Sequence, residues 1–368
     1  MKILEIIPQL SQGGAERFVV DLCNEMSKEH EVVLVVLHNL NQHGFFRNEL
    51  NKRVRIISMN KKMGMDWKLF FRLAHLIWKE RPDIVHTHLR GIVYSFLAYV
   101  FFKKIKFIHT LHTDAEKEAG RDVGKWFRKF AFNLKYVHPV TISEESQRSF
   151  EEFYGFSPTL IYNGRPPYDF STDVSIVKSE LENLKINKRS KLIINIARIQ
   201  TPKNQLSLAK AIDTLNQQGY DIELAIIGSK TDKDIVSQIE ALKSPFIHLL
   251  GARPNPRDYM RVADAFCLSS TYEGMPITLI ECFSVGAIPL CTPVGGIINM
   301  IQDGHNGLLA KGSSQKDIEN MLKRFLALGK EQIEELKINS AESFVHFDMT
   351  SCCQKYCKLM TNLINIKK

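Results

Sequence analysis

The stretch at residues 269–293, SSTYEGMPITLIECFSVGAIPLCTP, decides the fold of this chain. It follows an apolar run at 265–268 that predicts a buried strand. A turn then leads into a helix, because Pro276 fits the first helical position, where the N–H that proline lacks is not needed. The apolar run at 288–291 begins the next strand. This order of strand, loop, helix and strand is typical of a parallel α/β sheet.

Two carboxylates, Glu273 and Glu281, lie eight residues apart in this stretch. Ligands of open α/β sheets bind beyond the carboxyl ends of the strands, which is where the predicted turn lies. The backbone N–H groups of Gly274, Met275 and Ile277 are expected at the helix N-terminus, which attracts anions and sugar oxygens. One carboxylate can accept two hydroxyls, which suits the vicinal diols of ribose or of a hexose. The alternative is that both glutamates are solvated surface residues.

This stretch resembles the E-x7-E signature of the retaining glycosyltransferases of family four, which have two Rossmann-like domains in the GT-B arrangement. The resemblance extends over most of the chain. Besides the two glutamates it rests on Gly274, Pro276, Gly286 and Pro289, and on the downstream segments VGG at 294–296 and DGHNGLL at 303–309. It implies a two-domain α/β enzyme with a central cleft, which transfers a sugar from a nucleotide-diphosphate donor with retained anomeric configuration.

The length of 368 residues, 44% of them apolar, suffices for two domains with separate cores. We predict an N-terminal, acceptor-binding domain at 1–168 and a C-terminal domain at 169–346 that binds the nucleotide sugar. The resemblance implies that a last helix, at 347–368, crosses back to the first domain.

The same sequence predicts a location inside the cell. The chain enters a strand at once, so no signal peptide is expected, and its longest apolar run, at 92–102, is too short to span a bilayer. Seven cysteines without paired spacing indicate a reducing compartment. We expect a cytoplasmic protein, with peripheral association with the inner face of the plasma membrane as a hypothesis.

The net charge of +9 is concentrated in one region. Residues 60–136 hold 16 Lys and Arg against 7 Asp and Glu, and the rest of the chain is balanced. In the helix predicted at 67–79, a basic stripe is expected opposite a packed apolar side formed by Trp67, Phe70, Phe71, Ala74, Ile77 and Trp78. A basic patch indicates an anionic partner. We hypothesise an anionic membrane surface, and a phosphate-bearing acceptor or nucleic acid stays open as an alternative.

Two features of the first domain point to a site. Gly13 and Gly14 stand between a strand and a helix, and the resemblance implies that Gly14 lets the donor phosphates or the acceptor approach the backbone. Two later strands end in four histidines, but no carboxylate or cysteine completes a metal set at suitable spacing, so no metal site is expected. The resemblance places one of them beside the donor sugar. These histidines are His86, His88, His109 and His112, and the last is the one predicted in the site.

In the second domain, Arg198 follows a buried strand and Lys203 opens the next helix. An arginine fork and a lysine point charge suit a diphosphate, and their spacing resembles the pair that binds the donor diphosphate in the family. The loop that contains Arg253 resembles the one that holds the nucleotide base.

Together these features predict a metal-independent, retaining hexosyltransferase without cofactor, since the nucleotide sugar, by preference a UDP-sugar, is a substrate. The predicted acceptor is a membrane-associated or lipid-linked saccharide, as in bacterial cell-surface polysaccharide or lipopolysaccharide synthesis. Arg198 and Lys203 would offset the charge of the leaving diphosphate. Glu281 would hold ribose, Glu273 sugar hydroxyls, and His112 would orient the sugar.

Two other functions stay open at this point, and a third, a catalytically silent binding subunit, is disfavoured by the presence of Glu273, Glu281, Arg198 and Lys203. A nucleotide-sugar epimerase of the same fold would use acid and base carboxylates and would need no acceptor patch. A nucleic-acid-directed transferase or binding protein would use the basic region, and its binding would fall steeply with salt.

Overall fold

The computed structural model describes residues 1–120, 123–170 and 172–365, without the side chains of His43 and Val123. The chain forms two compact units. The first comprises Met1–Pro166 together with Phe347–Lys368, and the second comprises Pro167–His346. The sequence placed the first boundary two residues later, after residue 168. The two units are called the first and the second domain below.

Within the described ranges, seven parallel strands form the sheet of the first domain, in the order β3-β2-β1-β4-β5-β6-β7. The strands are β1 (Lys2–Ile7), β2 (Glu31–Val36), β3 (Arg55–Ser58), β4 (Ile84–His88), β5 (Lys106–Leu111), β6 (His138–Thr141) and β7 (Thr159–Leu160). The strand order reverses between β1 and β4. Beyond the carboxyl ends of such a strand pair, open α/β sheets bind their ligands.

Helices cover this sheet, and apolar runs such as β2 are buried along almost their whole length. The helices are α1 (Gly14–Met26), α2 (Leu40–His43), α3 (Trp67–Glu80), α4 (Gly91–Tyr94), α5 (Phe96–Phe101), α6 (Ala115–Ala119), α7 (Val123–Asn133) and α8 (Glu144–Tyr154), with a 3-10 turn at Arg47–Glu49. The apolar side of α1 is buried, including Phe18 and Leu22.

The exposed side of α3 differs from the prediction. Its buried face consists of Leu69, Phe70, Leu73 and Ile77. The helical period places the three large aromatic residues roughly 120° around the helix from that face. Trp67, Phe71 and Trp78 are therefore 61%, 70% and 56% exposed. They form a stripe beside the exposed basic residues Lys68, Arg72, His75 and Lys79.

The second domain repeats the architecture with six parallel strands, again counted over the described part of the chain, in the order β10-β9-β8-β11-β12-β13. The strands are β8 (Lys191–Ile196), β9 (Ile222–Ile227), β10 (Ile247–Gly251), β11 (Ala265–Leu268), β12 (Pro289–Cys291) and β13 (Leu308–Leu309). The order reverses between β8 and β11, so this domain has its own ligand position at the corresponding place.

The second domain also contains a 3-10 turn at Thr201–Lys203. Its helices are α9 (Ser175–Leu184), α10 (Gln205–Gln217), α11 (Lys233–Glu240), α12 (Pro256–Val262), α13 (Ile277–Ser284), α14 (Ile297–Met300), α15 (Gln315–Leu326) and α16 (Lys330–Ser343).

After a 3-10 turn at Phe344–Phe347, the last helix, α17 (Met349–Asn365), packs on the first domain. Its Tyr356 is fully buried, and the hydroxyl lies 2.9 Å from Thr110 Oγ1 on β5. Cys352 Sγ lies 3.1 Å from the carbonyl oxygen of Tyr162. The predicted return of the last helix to the first domain is confirmed, as is the prediction of two Rossmann-like α/β domains.

Candidate functional site

In the second domain, the predicted residues follow the two strands between which the order reverses. Arg198 comes shortly after β8, Lys203 ends the following 3-10 turn, and Glu273 lies in the turn after β11. The fold brings Lys203 and Glu273 together although they are 70 residues apart, with Nζ donating to Oε1 over 2.7 Å. Arg198 is exposed and Lys203 is partly exposed, so positive charge is available to a ligand there.

Glu273 is not a solvated loop residue, because its exposed fraction is 9%. Its Oε1 accepts hydrogen bonds from Lys203 and from the hydroxyl of Ser270, at 2.6 Å from the latter. Ser270 is held in turn, since its carbonyl oxygen accepts a 2.5 Å bond from the Thr292 hydroxyl. The carboxylate is thus oriented from two sides before any ligand binds.

The turn of Glu273 also depends on a glycine from the next loop. Gly295 has φ +54°, a left-handed conformation, and a β-carbon there would lie 1.8 Å from the carbonyl oxygen of Glu273. The neighbouring N–H of Gly296 donates to the carbonyl oxygen of Gly274 over 2.7 Å. The VGG segment therefore serves as the backbone support of the glutamate turn.

Helix α13 begins one residue later than the sequence predicted. Ile277 is its first residue and Pro276 is its N-cap, so Gly274 and Met275 lie in the turn before the helix. Glu281 lies in the second turn of α13 with an exposed fraction of 5%. The idea that the two glutamates are ordinary surface residues is therefore wrong, and their role in donor binding stays a prediction.

The side chain of Arg253 is engaged within the second domain. Its Nη2 and Nε lie 2.9 and 3.1 Å from Glu180 Oε1, and the Tyr259 hydroxyl donates to Glu180 Oε2 over 2.6 Å. Burial opposes ionisation of Glu180, but the hydrogen bonds from Tyr259 and Arg253 lower its pKa. Arg253 thus ties the loop after β10 to α9, and its contact with a nucleotide base remains a prediction.

In the first domain, Gly14 is the exposed first residue of α1, and Gly13 is its N-cap. The buried Glu16 turns back to this point, where its Oε1 accepts from the Ser11 hydroxyl over 2.9 Å. A β-carbon on Gly13 would lie 2.3 Å from Glu16 Oε2. The carboxylate of Glu16, on the same helix, therefore already occupies part of the N-terminus that would attract an anion.

A buried cluster lies at the strand reversal of the first domain, with Glu5 on β1 at its centre. Glu5 Oε2 lies 3.0 Å from His86 Nδ1 and 2.9 Å from His88 Nε2, and all three residues have no exposed surface. His88 Nδ1 lies 2.9 Å from His112 Nε2. The fold thus brings His112, the predicted site residue, into contact with this cluster.

Three groups in contact within this cluster, Glu5, His88 and His112, have pKa values below their ordinary ones. Burial would raise the pKa of Glu5, but His86 and hydrogen bonds from His86 and His88 lower it to about 2. Burial and the nearby His86 lower the pKa of His88 to about 3. Burial and His88 lower the pKa of His112 well below its ordinary value. His112 is consequently neutral at physiological pH.

The sequence analysis missed Glu5, and its reason for excluding a metal site was wrong. Glu5, His86 and His88 form a group that could hold a metal ion, since the carboxylate comes from a neighbouring strand. The sequence did contain a signal for Glu5, which is a charged residue inside the otherwise apolar part of the strand KILEII. Spacing along the chain cannot show that β1 and β4 are neighbours.

Comparison with known proteins gives matches over both domains. The family model described as "Glycosyltransferase Family 4" matches residues 12–167, and the model "Glycosyl transferases group 1" matches residues 177–342. A curated relative from Campylobacter jejuni is 25% identical, and the match covers 99% of each chain. Its name is GalNAc-alpha-(1->4)-GalNAc-alpha-(1->3)-diNAcBac-PP-undecaprenol alpha-1,4-N-acetyl-D-galactosaminyltransferase.

A second relative, from Escherichia coli, is 24% identical, and the match covers 74% of this chain and 73% of the relative. It is named UDP-Gal:alpha-D-GlcNAc-diphosphoundecaprenol alpha-1,3-galactosyltransferase. Among solved structures, HepE from Anabaena in complex with UDP-glucose is similar, with a TM-score of 0.83 and 19% identity. That match covers 98% of this chain and 100% of HepE.

Proposed function

The chain belongs to the family-four glycosyltransferases with the GT-B fold, and from this premise we propose which sugar transfer it performs. It moves a hexose-type sugar, with retained anomeric configuration, from a UDP-sugar to a lipid-linked saccharide in the synthesis of a bacterial cell-surface polysaccharide or lipopolysaccharide. The observation that carries this proposal is the pairing of Lys203 with the buried Glu273, together with the exposed Arg198 in the same loop after β8.

This arrangement suits a diphosphate leaving group. Arg198 and Lys203 supply two positive charges at the carboxyl end of β8, where they offset the charge that develops as the glycosidic bond to the diphosphate breaks. When Lys203 turns to the phosphate, Glu273 gains acceptor capacity for the sugar hydroxyls. Glu281 holds the ribose. With two cations in place, the reaction is metal-independent in this proposal.

The contacts of Glu273 bear on which retaining mechanism we propose. A double-displacement mechanism needs a nucleophilic carboxylate with a second carboxyl group as acid and base. Glu273 is instead held by Lys203 and Ser270, and once Lys203 turns to the phosphate, Ser270 and the sugar hydroxyls continue to stabilise its charge and lower its nucleophilicity. This supports a front-side mechanism in which the leaving phosphate takes the acceptor proton, while His112 orients the sugar.

The choice of donor and acceptor rests on the relatives. The names of the Campylobacter jejuni and Escherichia coli relatives both specify undecaprenol-linked saccharide acceptors, and the latter names UDP-Gal as the donor. We extend both features to this chain.

The surface of α3 supports an acceptor at a membrane. Its exposed aromatic stripe, Trp67, Phe71 and Trp78, runs beside an exposed basic stripe. Aromatic residues insert at the interface of a bilayer, and lysine or arginine beside them attracts anionic head groups. Within the described residues, no helix is long and apolar enough to cross a bilayer. We propose peripheral docking through this face, on the cytoplasmic side of the membrane.

The proposal is tested by a panel of nucleotide sugars, followed by transfer to an undecaprenol-diphosphate-linked saccharide. A donor at 100 times its Kd is expected to stabilise the protein by roughly 2.7 kcal/mol. Arg198→Ala and Lys203→Ala should each weaken UDP binding by about 1.5–3 kcal/mol, the range of a hydrogen bond to a charged group. Lys210→Ala, which changes an exposed lysine on α10, is the control.

Two further variants test whether Glu273 and Glu281 have different roles. Glu281→Gln should weaken UDP and donor alike, whereas Glu273→Gln should lower kcat and leave UDP affinity nearly unchanged. Unchanged UDP affinity in both cation variants, or equal loss of UDP binding in both glutamate variants, would contradict these assignments. Interconversion of nucleotide sugars without any transfer would favour the epimerase instead.

A further inference from the structure

A cluster of two cysteines and a histidine lies where the last helix packs on the first domain. Cys353 and Cys357 are four residues apart on α17 and therefore share one side of the helix, and their Sγ atoms lie 3.9 Å apart. Cys357 Sγ also lies 3.5 Å from Nε2 of His30, in the turn between α1 and β2. Cys357 therefore lies between two groups that can each donate a hydrogen bond to its sulfur.

Cys357 also differs from the other cysteines in its access to solvent. All seven cysteines lie in the described ranges; six are buried, and Cys357 is partly exposed. Burial raises the pKa of such a thiol, as it does for Cys352, to about 12. Because the thiolate is the nucleophilic form, buried cysteines are inert, whereas a reagent can reach Cys357.

The neighbours of Cys357 favour its thiolate. The hydrogen bond with Cys353 lowers the pKa of Cys357; burial and Glu29 oppose this shift, and His30 adds to it. The same hydrogen bond, burial and the nearby Glu25 raise the pKa of Cys353. The contacts and the exposure thus agree that Cys357 is the reacting thiol, with the Cys353 thiol next to it.

We propose that Cys357 is a modification site for hydroperoxides and that Cys353 forms a reversible disulfide with it. The Cys357 sulfur attacks one peroxide oxygen, so that an S–O bond forms and the O–O bond breaks. The hydroxide or alkoxide that leaves takes a proton from water. Two electrons pass from the sulfur, which becomes a sulfenic acid, to the peroxide, which is reduced.

Cys353 is placed to resolve this sulfenic acid. Its sulfur attacks the Cys357 sulfur, so that an S–S bond forms and the S–O bond breaks, and the departing hydroxide takes the thiol proton of Cys353 to give water. Four residues rise about 6 Å along a helix, which lies within the Cα separation of about 4.4–6.8 Å that disulfides span. The two cysteines can therefore be joined without unfolding the helix.

The disulfide would nevertheless disturb the packing of α17. Cβ atoms four residues apart on a helix are separated by about 5–6 Å, whereas those joined by a disulfide are separated by about 3.5–4.5 Å. The turn between the cysteines contains Tyr356, which is fully buried and lies 2.9 Å from Thr110 Oγ1 on β5. Oxidation should therefore loosen the attachment of α17 to the first domain, and reduction should restore it.

The first test is alkylation of the full folded chain with iodoacetamide over a range of pH, with mass spectrometry of each cysteine. We expect Cys357 to react first, with a midpoint about one pH unit or more below the ordinary thiol value of about 8.5. His30→Ala should raise this midpoint, and His75→Ala, at an exposed histidine of α3, should leave it unchanged. An ordinary midpoint at Cys357, or faster labelling of another cysteine, would overturn the proposal.

The second test is oxidation with hydrogen peroxide, followed by mass spectrometry and amide exchange. The unmodified chain should form the disulfide between Cys353 and Cys357, with faster exchange in α17 that dithiothreitol reverses, whereas exchange in α15 of the second domain should stay unchanged. Cys353→Ala should stop at the sulfenic acid of Cys357, which dimedone traps. Cys357→Ser should give neither product.

A disulfide between other cysteines would refute the proposal, as would equal oxidation of Cys357→Ser or unchanged exchange of α17 after complete oxidation. Neither test uses a nucleotide sugar. Failure of this proposal would therefore leave the proposed sugar transfer untouched, and failure of the sugar transfer would leave the reactivity of Cys357 to be decided by these measurements.

Discussion

The two strand reversals of this molecule occupy equivalent places in two similar sheets, but they are built differently. Between β1 and β4 the first domain buries the Glu5 carboxylate between His86 and His88, and partly exposed His112 lies at the end of that cluster. Between β8 and β11 the second domain presents the exposed Arg198 and the partly exposed Lys203, which forms an ion pair with Glu273.

This difference suits two kinds of recognition. Cations near solvent attract a dianionic diphosphate over a distance and hold it by charge. The buried cluster of the first domain presents no exposed charge, so any ligand there would be recognised by hydrogen bonds rather than by attraction over a distance. In the proposed function, the second domain therefore supplies the affinity for the nucleotide diphosphate.

The largest effect is expected for Gly295→Ala, which tests whether the second-domain site depends on backbone packing. The new β-carbon would overlap the carbonyl oxygen of Glu273, at 1.8 Å, and φ +54° is itself unfavourable for alanine. We expect a loss of about 3 kcal/mol or more in unfolding free energy, because overlap and strain add. UDP binding should fall with it, as calorimetry would show.

The control is Gly219→Ala, in the same domain. Gly219 has φ +88°, but a β-carbon there would meet no atom within 4 Å. Strain alone should cost about 1–2 kcal/mol and leave UDP binding intact. If both variants lose the same stability and keep UDP, the support of the glutamate turn by Gly295 is refuted.

The sequence was informative where the site lies within one segment. The turn, helix and glutamates at 269–293 and the cations after β8 were predicted, because strand ends and helix starts are local patterns. Glu5 was missed because its partners are 81 and 83 residues away, on a neighbouring strand. The exposed Trp67 and Phe71 were misplaced, because Leu69, Phe70, Leu73 and Ile77 already fill the packed face of α3.

The second prediction concerns the stability of the first domain at acidic pH. The shifted histidines found in the described structure, His88, His109, His112 and His138, all lie in the first domain, and burial lowers the pKa of each. Below the unfolded value of 6.5 the unfolded chain binds protons that the folded domain does not, so stability falls as pH falls. Between pH 6.5 and 4.5 the first domain should weaken more than the second.

Pulsed amide exchange with a labelling step at one fixed pH would report each domain separately. His88→Asn should flatten the pH dependence of the first domain, and His75→Asn, which changes an exposed histidine on α3, should not. Loss of protection in the second domain first, or an identical pH dependence in both histidine variants, would show that the buried cluster is not responsible.

The smallest effect per residue is expected for membrane binding by the surface of α3. The two domains differ here as well, because the surplus of positive charge lies in the first domain. Each lysine near an anionic membrane contributes about 1 kcal/mol, so Lys68→Gln with Lys79→Gln should weaken vesicle binding by about 2 kcal/mol. Lys210→Gln with Lys243→Gln, two exposed lysines of the second domain, should leave binding unchanged. Flotation with phosphatidylserine vesicles measures both.

Nucleic acid would also bind lysines, so variants of the aromatic stripe are needed to distinguish a membrane from nucleic acid as the partner. Trp67→Ser with Phe71→Ser should weaken binding to vesicles, since both side chains are more than half exposed and can enter the lipid interface. Phe170→Ser, at an equally exposed phenylalanine of the second domain, should not. Equal binding to neutral vesicles would refute docking by charge. Tighter, salt-sensitive binding to duplex DNA would instead indicate that the basic face binds nucleic acid, because contacts with the phosphate backbone make such binding fall steeply with salt.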